Sequence, residues 1–195
     1  TLDWNGLLAS TAQITAAGAM LGFGVVLSWM FGREFADGTV TGLFALPVSR
    51  ARIALAKLAV YAAWAVAVSL ILAFGVLALG LLLGYGAPTV DAWRGLARQA
   101  ALAVLTAVIA VPVAWVATVT RSLLAAVGAS VGVVMVAQVG ALAGAGGWMP
   151  LAAPALWAMN GGAAVNAVQL TVPVLLGAVF VVLTCAAWSR LRLDH

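Results

Sequence analysis

The chain has 195 residues, of which 66% are hydrophobic and only 7% are charged, and its mean hydropathy is +1.19. A soluble domain carries charge on roughly a quarter of its residues, so this composition excludes a water-soluble globular protein. It predicts an all-α, polytopic membrane helical bundle with a single transmembrane domain over residues 1–195. The net charge of +4 comes from loop arginines, as the positive-inside rule expects, and no basic stripe with interleaved aromatic residues indicates nucleic-acid binding.

The first predicted span covers about residues 14–31, an uncharged apolar run close to the roughly twenty residues that cross a bilayer. The chain starts at Thr1 and not at Met, so we expect the natural protein to extend upstream with one more helix. A loop at residues 32–57 follows the first span. It is the longest stretch in which charged residues are dense.

Within this loop, the pattern predicts a short amphipathic helix over residues 34–46. One side of this helix is apolar and the other is polar; the two sets are Phe35, Leu43 and Leu46, with Phe44 beside them, and Glu34, Asp37 and Thr41. We expect the carboxylates of Glu34 and Asp37 to lie at its positive N-terminal end. Pro47 disfavours helix at the residue before it and ends this helix, and Ser49 is the predicted N-cap of the next one.

Four further spans are predicted at about residues 58–83, 100–119, 123–143 and 170–188. Pro112 interrupts the span at 100–119, where neighbouring helices can satisfy the carbonyl that it frees. Asp91–Gln99 is expected to form a separate interfacial segment with Trp93 as its anchor. Residues 144–169 are uncharged but rich in Gly and Pro, which favours a broken external or re-entrant pair of short helices.

The distribution of Lys and Arg between alternate loops predicts the orientation. The loops on one side contain seven of these residues, and those on the other contain only Arg94 and Arg98. We therefore predict a multi-pass protein of the cell (cytoplasmic or inner) membrane, with the 32–57 loop and the C-terminus in the cytoplasm. One upstream helix would bring the total to six spans with both ends inside.

The five predicted spans contain no Asp, Glu, Lys, Arg or His. Because ion coupling, catalysis and metal binding need such groups, we predict no catalytic residue and no metal site, and we disfavour a proton- or sodium-driven transporter. Gln138 is the one strongly polar side chain in the fourth span. It is a weak candidate for substrate contact, but an interhelical hydrogen bond is the favoured interpretation.

The basic residues of the 32–57 loop need no partner, because fixing the orientation of the chain explains them. Orientation does not explain the amphipathic face or the two acids. A helix that lies on a membrane usually carries Lys and Arg on its polar face, and carboxylates are disfavoured beside an anionic leaflet. A partner protein with a groove that takes Phe35, Leu43 and Phe44 as anchors accounts for more of the pattern.

At this loop the chain resembles the permease subunits of type-2 ATP-binding-cassette exporters. The resemblance is carried by short motifs over about twenty-five residues: Glu34, Gly38–Thr39, Leu43–Phe44, Pro47–Val48–Ser49–Arg50 and Leu55–Ala56–Lys57. Phe44 stands where a second leucine is commoner. The five spans, the broken segment before the last span and the short basic tail extend the resemblance across the chain.

The resemblance implies that the loop contains a coupling helix, which docks on a separately encoded ATPase. The ATPase-coupling residues would be Glu34, Phe35, Asp37, Gly38, Thr39, Leu43, Phe44, Pro47 and Arg50. Two permease copies, identical or different, would work with two ATPases, which bind the ATP and Mg, and this chain would bind no cofactor. It would be a non-catalytic subunit that exports a hydrophobic or amphipathic drug, peptide or lipid, as in multidrug or antibiotic efflux.

Two other classes of function stay open. A membrane scaffold or assembly factor would use the same loop to recruit a soluble protein that is not an ATPase. A membrane-embedded enzyme would need ionisable residues in its spans, which only a segment upstream of Thr1 could supply. A neighbouring reading frame with Walker and signature motifs would favour the exporter.

Overall fold

A computed structural model describes residues 3–44 and 47–191, apart from the side chain of Phe44, and these residues form helices joined by turns with no β-strand among them. A short 3-10 turn at Gly146–Trp148 stands between the sixth and seventh α-helices. In chain order the α-helices are α1 (Trp4–Ala36), α2 (Val40–Phe44), α3 (Arg50–Leu82), α4 (Val90–Ala110), α5 (Pro112–Thr120), α6 (Leu123–Leu142), α7 (Ala153–Met159) and α8 (Ala167–Arg190).

Five helical stretches of the described chain are long and apolar enough to cross a membrane: α1, α3, α4 with α5, α6, and α8. The predicted all-α polytopic bundle is thereby confirmed. Val111 separates α4 from α5 at Pro112, which lacks the N–H that would continue the helix. α1 and α3 have 33 residues each, or about 50 Å at 1.5 Å per residue, against a hydrocarbon core of roughly 30 Å. α1 therefore extends past both ends of the predicted span 14–31, and α3 begins before the predicted span 58–83.

Polar side chains at the helix starts explain where several helices begin. Asp3 accepts a hydrogen bond of 2.8 Å from a backbone N–H in the first turn of α1, and Thr89 accepts one of 3.2 Å in the first turn of α4. Asn166 and Gln169 exchange two hydrogen bonds of 2.9 Å in a capping box at the start of α8. Ser49 is the N-cap residue of α3, although its side chain makes no capping hydrogen bond.

The segment Asp91–Gln99 is not a separate interfacial piece, because it forms the first half of α4. Gln99 is only 2% exposed, and its Nε2 donates a hydrogen bond of 2.6 Å to Oγ1 of Thr15 on α1. A buried carboxamide needs a hydrogen-bond partner, and this contact provides it. α4 is therefore fixed against α1 by a polar contact within the bundle.

α1 is the central helix, and it packs against α3, α4, α5, α6 and α7. Two glycines bring it close to α6. A Cβ on Gly24 would lie 2.3 Å from Cβ of Ser130, and one on Gly32 would lie 3.0 Å from a backbone atom of α6. Between them, Ser28 is fully buried and donates to the Gly24 carbonyl at 2.8 Å. Small residues that allow such close approach are how helices associate in lipid, where no hydrophobic force acts between helices.

Aromatic contacts join α3 to the core of the bundle. Phe23 on α1 meets Tyr61 and Trp64 on α3 edge to face, with ring centroids 6.2 and 5.7 Å apart. The buried hydroxyl of Tyr61 donates to the carbonyl of Ala107 on α4 at 2.8 Å, so its polar group is satisfied. α3 is thus held to both α1 and α4.

Between α6 and α8 the chain folds back against the bundle, at the end opposite to the α1–α3 connection (residues 37–49). α7 packs against α1 and α4 and buries Ala153 and Pro154. A Cβ on Gly140 would lie 2.0 Å from the sulfur of Met149, so the loop before α7 lies directly on α6. How this segment lies relative to a membrane stays a prediction.

Candidate functional site

The α1–α3 connection and the helix ends beside it carry the residues that the sequence predicts to bind a partner. α1 continues through Glu34 and Phe35, and α2 follows only after a turn. The expected continuous helix over residues 34–46 is therefore wrong, because the turn divides it. Glu34 and Asp37 lie at the C-terminal end of α1 and not at a positive N-terminal end, so the helix dipole does not favour them.

The turn that ends α1 begins at Asp37. Its N–H donates to the Arg33 carbonyl at 2.8 Å, and its carboxylate pairs with Nε of Arg33 at 2.8 Å. Gly38 follows with φ of +67°, in the left-handed region that glycine adopts without strain at helix ends. The side chains of the ion pair are 56% and 48% exposed, so the pair contributes little stability and leaves the Asp37 carboxylate accessible.

α2 turns one side of the connection inward and the other outward. Val40 is buried, and Leu43 is half-buried against the apolar core. Thr39, Thr41 and Gly42 are exposed. The apolar side of this helix therefore packs on the chain itself, and its polar side forms the outer surface of the connection.

The remaining residues of the predicted set lie on both sides of the undescribed positions 45–46. Leu46 and the side chain of Phe44 are outside the described residues, so their predicted roles stay predictions. Pro47 is exposed. Arg50, the first residue of α3, donates through Nη1 to the carbonyl of Leu191, just after α8.

The carboxylate of Glu34 is held by Lys57 of α3. Nζ of Lys57 pairs with Oε1 of Glu34 and donates to the Met30 carbonyl at 2.6 Å. The two charged side chains are only 17% and 19% exposed. Oε2 of Glu34 is buried and accepts no hydrogen bond from the residues that the structure describes. One cation therefore bridges α3 to both a side chain and the backbone of α1.

The ends of four helices meet at Trp188, which is 0% exposed. Its Nε1 donates to Oγ1 of Thr118 on α5 at 3.0 Å, and its ring lies 6.0 Å from Phe31 and 6.3 Å from Phe35. Nζ of Lys57 lies 5.4 Å from the centroid of the same ring, within the range of a cation–π interaction. We call this group the Trp188 cluster: Phe31, Glu34, Phe35, Lys57, Thr118 and Trp188.

Sequence reasoning missed this cluster. A tryptophan at the end of an apolar run is typical of a membrane interface, yet Trp188 is buried inside the protein. Phe35, whose spacing predicts a partner-facing anchor, is half-buried against it. No spacing in the sequence links residue 188 to α1 or α3. The one available signal was charge, because an acid at the end of one span and a lysine at the start of the next suit an ion pair.

A recess of about 380 Å³ opens between α1 and α3 beside the connection. Its lining residues are Trp29, Met30, Arg33, Glu34, Asp37, Thr39 and Lys57. The walls present both signs of charge together with an aromatic ring. A polar or charged side chain of another protein would find hydrogen-bonding groups there.

Gln138, the weak candidate for substrate contact, lies at the other end of the bundle. It lines a cavity of about 150 Å³ between α1, α4, α6 and α7, together with Gln13. The favoured interhelical hydrogen bond is absent, because Gln138 makes no hydrogen bond with any described residue. Within one copy the carboxamide of Gln138 is therefore unpaired at a cavity, and a hydrogen bond to a helix of another copy stays a prediction.

Within residues 3–44 and 47–191, no three His, Cys, Asp or Glu side chains come together in a way that could hold a metal ion. The chemistry available at the connection consists of ion pairs, hydrogen bonds and apolar contacts. These are the interactions by which one protein binds another.

Comparison with known protein families identifies a match over most of the chain. The family model described as ABC-2 family transporter protein matches residues 10–140. The match runs from the first part of α1 nearly to the end of α6, so it includes the whole α1–α3 connection. No curated protein and no solved structure matches the chain.

Proposed function

This chain belongs to the ABC-2 transporter family, and on that premise we propose that it is the permease subunit of an exporter driven by a separate ATPase that docks on the α1–α3 connection. Family membership makes it a membrane permease of an ATP-binding-cassette transporter with an ATPase partner, and its apolar helices make it a multi-pass membrane protein. The proposal adds the docking surface, the direction of transport and the class of cargo.

The observation that carries the docking surface is the way the connection is anchored. Lys57 ties the start of α3 to the end of α1, and Trp188 joins these ends to α5 and α8. A force applied to the connection therefore reaches four helices through close-packed side chains. Packed interfaces of this kind switch between discrete arrangements and do not deform continuously. That is the property needed to convert ATPase movement into movement of the spans.

The burial of the predicted coupling residues divides their roles. Asp37, Gly38, Thr39 and Pro47 are exposed and would contact the ATPase directly. Four others would act indirectly, by holding the connection against the bundle: Glu34, Phe35, Leu43 and Arg50. Phe44 is proposed as an apolar anchor on the spacing alone.

The rest of the working unit follows from the family. A second permease copy, identical or different, completes the transport path, and the two ATPases bind the ATP and Mg. The charge bias favours a cytoplasmic connection and C-terminus, and it supports our proposal that the membrane is the cytoplasmic or inner membrane. The apolar spans favour a hydrophobic or amphipathic cargo such as a drug, a peptide or a lipid.

A charge reversal with a matched control tests the docking surface. Asp37→Lys reverses the charge of the exposed acid of the connection. Asp91→Lys is the matched control: Asp91 lies at the opposite end of the bundle, is 79% exposed and, like Asp37, pairs with a nearby arginine, Arg94. We expect the first change to weaken copurification of the co-expressed ATPase at least tenfold, about 1.4 kcal/mol, and the second to have no effect.

Two results would contradict this proposal. Equal recovery of the ATPase with both variants would remove the connection as its docking surface. Recovery of a stoichiometric partner without ATP hydrolysis, lost only with Asp37→Lys, would favour a membrane scaffold. Thermal stability of each purified variant in detergent serves as the control, because both positions are exposed and neither change should alter folding.

A further inference from the structure

The cavity at the end of the bundle opposite to the connection has mixed chemistry. Its volume is about 150 Å³. Three of its lining residues are polar, and the others are apolar side chains of α1, α4, α6, α7 and the turn just before α7. The polar ones are Gln13, Thr106 and Gln138. Thr106 donates to the Leu102 carbonyl at 2.8 Å, so its oxygen is still able to accept one hydrogen bond.

The two glutamines are the unusual feature. They come from different helices, α1 and α6; both line the cavity, and both residues are exposed on the chain. Neither Gln13 nor Gln138 makes a hydrogen bond with any residue in the described part of the chain. Gln99, the other amide of the bundle interior, is fully buried and paired with Thr15. The chain thus pairs the buried amide of Gln99 and leaves two NH2 groups and two carbonyl oxygens of the same type unpaired at one cavity.

Charge and size limit what these amides can bind. No ionisable side chain lines the cavity, so a charged group there would be desolvated without a counter-ion. An apolar protein cavity of about 150 Å³ is large enough for a benzene ring. Met20 of α1 and Met159 of α7 also line the cavity, and flexible thioether side chains adapt to ligands of different shape.

We propose that this cavity is a binding site, within one copy of the chain, for a small uncharged amphiphile whose polar group pairs with Gln13 and Gln138 and whose ring or short chain fills the apolar part. The inference rests on the proposed function to the extent that the ligand is cargo. It assigns the cargo a chemical class: neutral, with both a hydrogen-bond donor and an acceptor. The apolar composition of the spans does not specify either property.

The test uses three fluorinated probes of one size on the natural permease in lipid nanodiscs. The probes are 4-fluorobenzamide, 4-fluorobenzoate and 4-fluorotoluene, and binding is followed by fluorine NMR line broadening against empty nanodiscs. We expect 4-fluorobenzamide to bind with a Kd on the order of 1 mM. We expect much weaker binding of the charged benzoate, and an affinity for 4-fluorotoluene that does not depend on the glutamines.

Variants distinguish binding of the probe in the cavity from its partitioning into the surrounding lipid. Gln13→Leu and Gln138→Leu keep the approximate size of the side chain, and each should weaken the binding of 4-fluorobenzamide roughly threefold to tenfold. Ala137→Phe fills the cavity and should abolish binding. Val136→Phe adds the same ring to a neighbouring residue that is 52% exposed and does not line the cavity, so it should have no effect. Ala17→Leu blocks the cavity from α1 if Ala137→Phe does not fold.

Three outcomes would overturn the inference. The first is equal broadening of 4-fluorobenzamide by wild type and both blocking variants. The second is binding of 4-fluorobenzoate as tight as that of the amide. The third is that the glutamine variants change the oligomeric state of the protein but not its affinity for the probe. That result would assign the two amides to a contact between copies of the chain. Copurification of the ATPase is measured on the same samples, so loss of probe binding and loss of docking are distinguished.

Discussion

Replacing Lys57 by methionine tests the contact that anchors the connection. The change removes the cation and keeps most of the aliphatic side chain. In the wild-type protein Nζ of Lys57 pairs with Glu34, donates to the Met30 carbonyl at 2.6 Å and lies 5.4 Å from the ring centroids of Phe31 and Trp188. The variant therefore leaves the largely buried Glu34 carboxylate with neither oxygen paired, since Oε2 already accepts no hydrogen bond from the described residues.

The size of the effect follows from this burial. Removing one partner of a buried ion pair costs about 3–5 kcal/mol. Because both side chains retain 17–19% exposure, we expect the lower end, about 3 kcal/mol. Glu34→Gln together with Lys57→Met removes both charges and should cost only about 1 kcal/mol. The two positions should therefore be coupled. The double variant should lose less unfolding free energy than the sum of the two single losses, and less than Lys57→Met alone.

The measurement is a double-mutant cycle from unfolding in mixed SDS micelles. The control is Asp37→Asn, which disrupts the exposed pair with Arg33 one turn further on and should cost less than about 1 kcal/mol. Additive effects at Glu34 and Lys57, or a Lys57→Met variant no less stable than Asp37→Asn, would refute the claim that this pair anchors the connection.

Two further predictions follow. Gly24→Ala should destabilise the bundle by about 1–3 kcal/mol, because its Cβ would lie 2.3 Å from Cβ of Ser130. Gly22→Ala on the same helix is the control, because its Cβ meets nothing within 4 Å and the change should be neutral or stabilising. Equal SDS unfolding midpoints for the two variants would refute the close α1–α6 contact. In a Cys185→Ala background, a membrane-impermeant maleimide added to intact cells should label Asp91→Cys, and it should label Asp37→Cys only after permeabilisation. The reverse pattern would invert the proposed orientation.

The number and order of the membrane helices could be predicted because lipid imposes a constraint along one dimension. A segment without charge and of sufficient length is compatible with little else. The helix ends could not be predicted in the same way, because a helix does not stop where the membrane stops. α1 continues past residue 31 through Gly32 and the charged Arg33 and Glu34, and it ends at Ala36, just before Gly38 adopts the left-handed conformation that glycine tolerates without strain.

The direction in which side chains face was the other limit. Helical spacing shows that Phe35 and Leu43 share a face, but it does not show whether that face meets a partner or the chain itself. The structure turns both inward, because Trp188 and the apolar core are already there. The surroundings of Gln138 could not be predicted for the same reason. A lone amide in a span usually pairs with another helix, and only the three-dimensional arrangement shows that it meets a cavity and a second unpaired amide.

The cavity and the Trp188 cluster are linked by the geometry of α1. Gln13 and Met20 line the cavity, and Phe31 and Glu34 belong to the cluster, on one helix without proline. The close contact at Gly24 lies near the midpoint, about 16 Å along the helix from Gln13 and about 15 Å from Glu34 at 1.5 Å per residue. A tilt of about 5° around that contact would move each end by roughly 1.4 Å in opposite directions.

A shift of that size is significant for a cavity of about 150 Å³ with close-packed walls. A ligand that favours one tilt of α1 must also favour one arrangement of the cluster. If the proposed ATPase favours one arrangement of the cluster, linkage requires its docking to change the affinity of the cavity by the same factor. On the proposed function, α1 would provide the physical connection between the docking surface and the cavity.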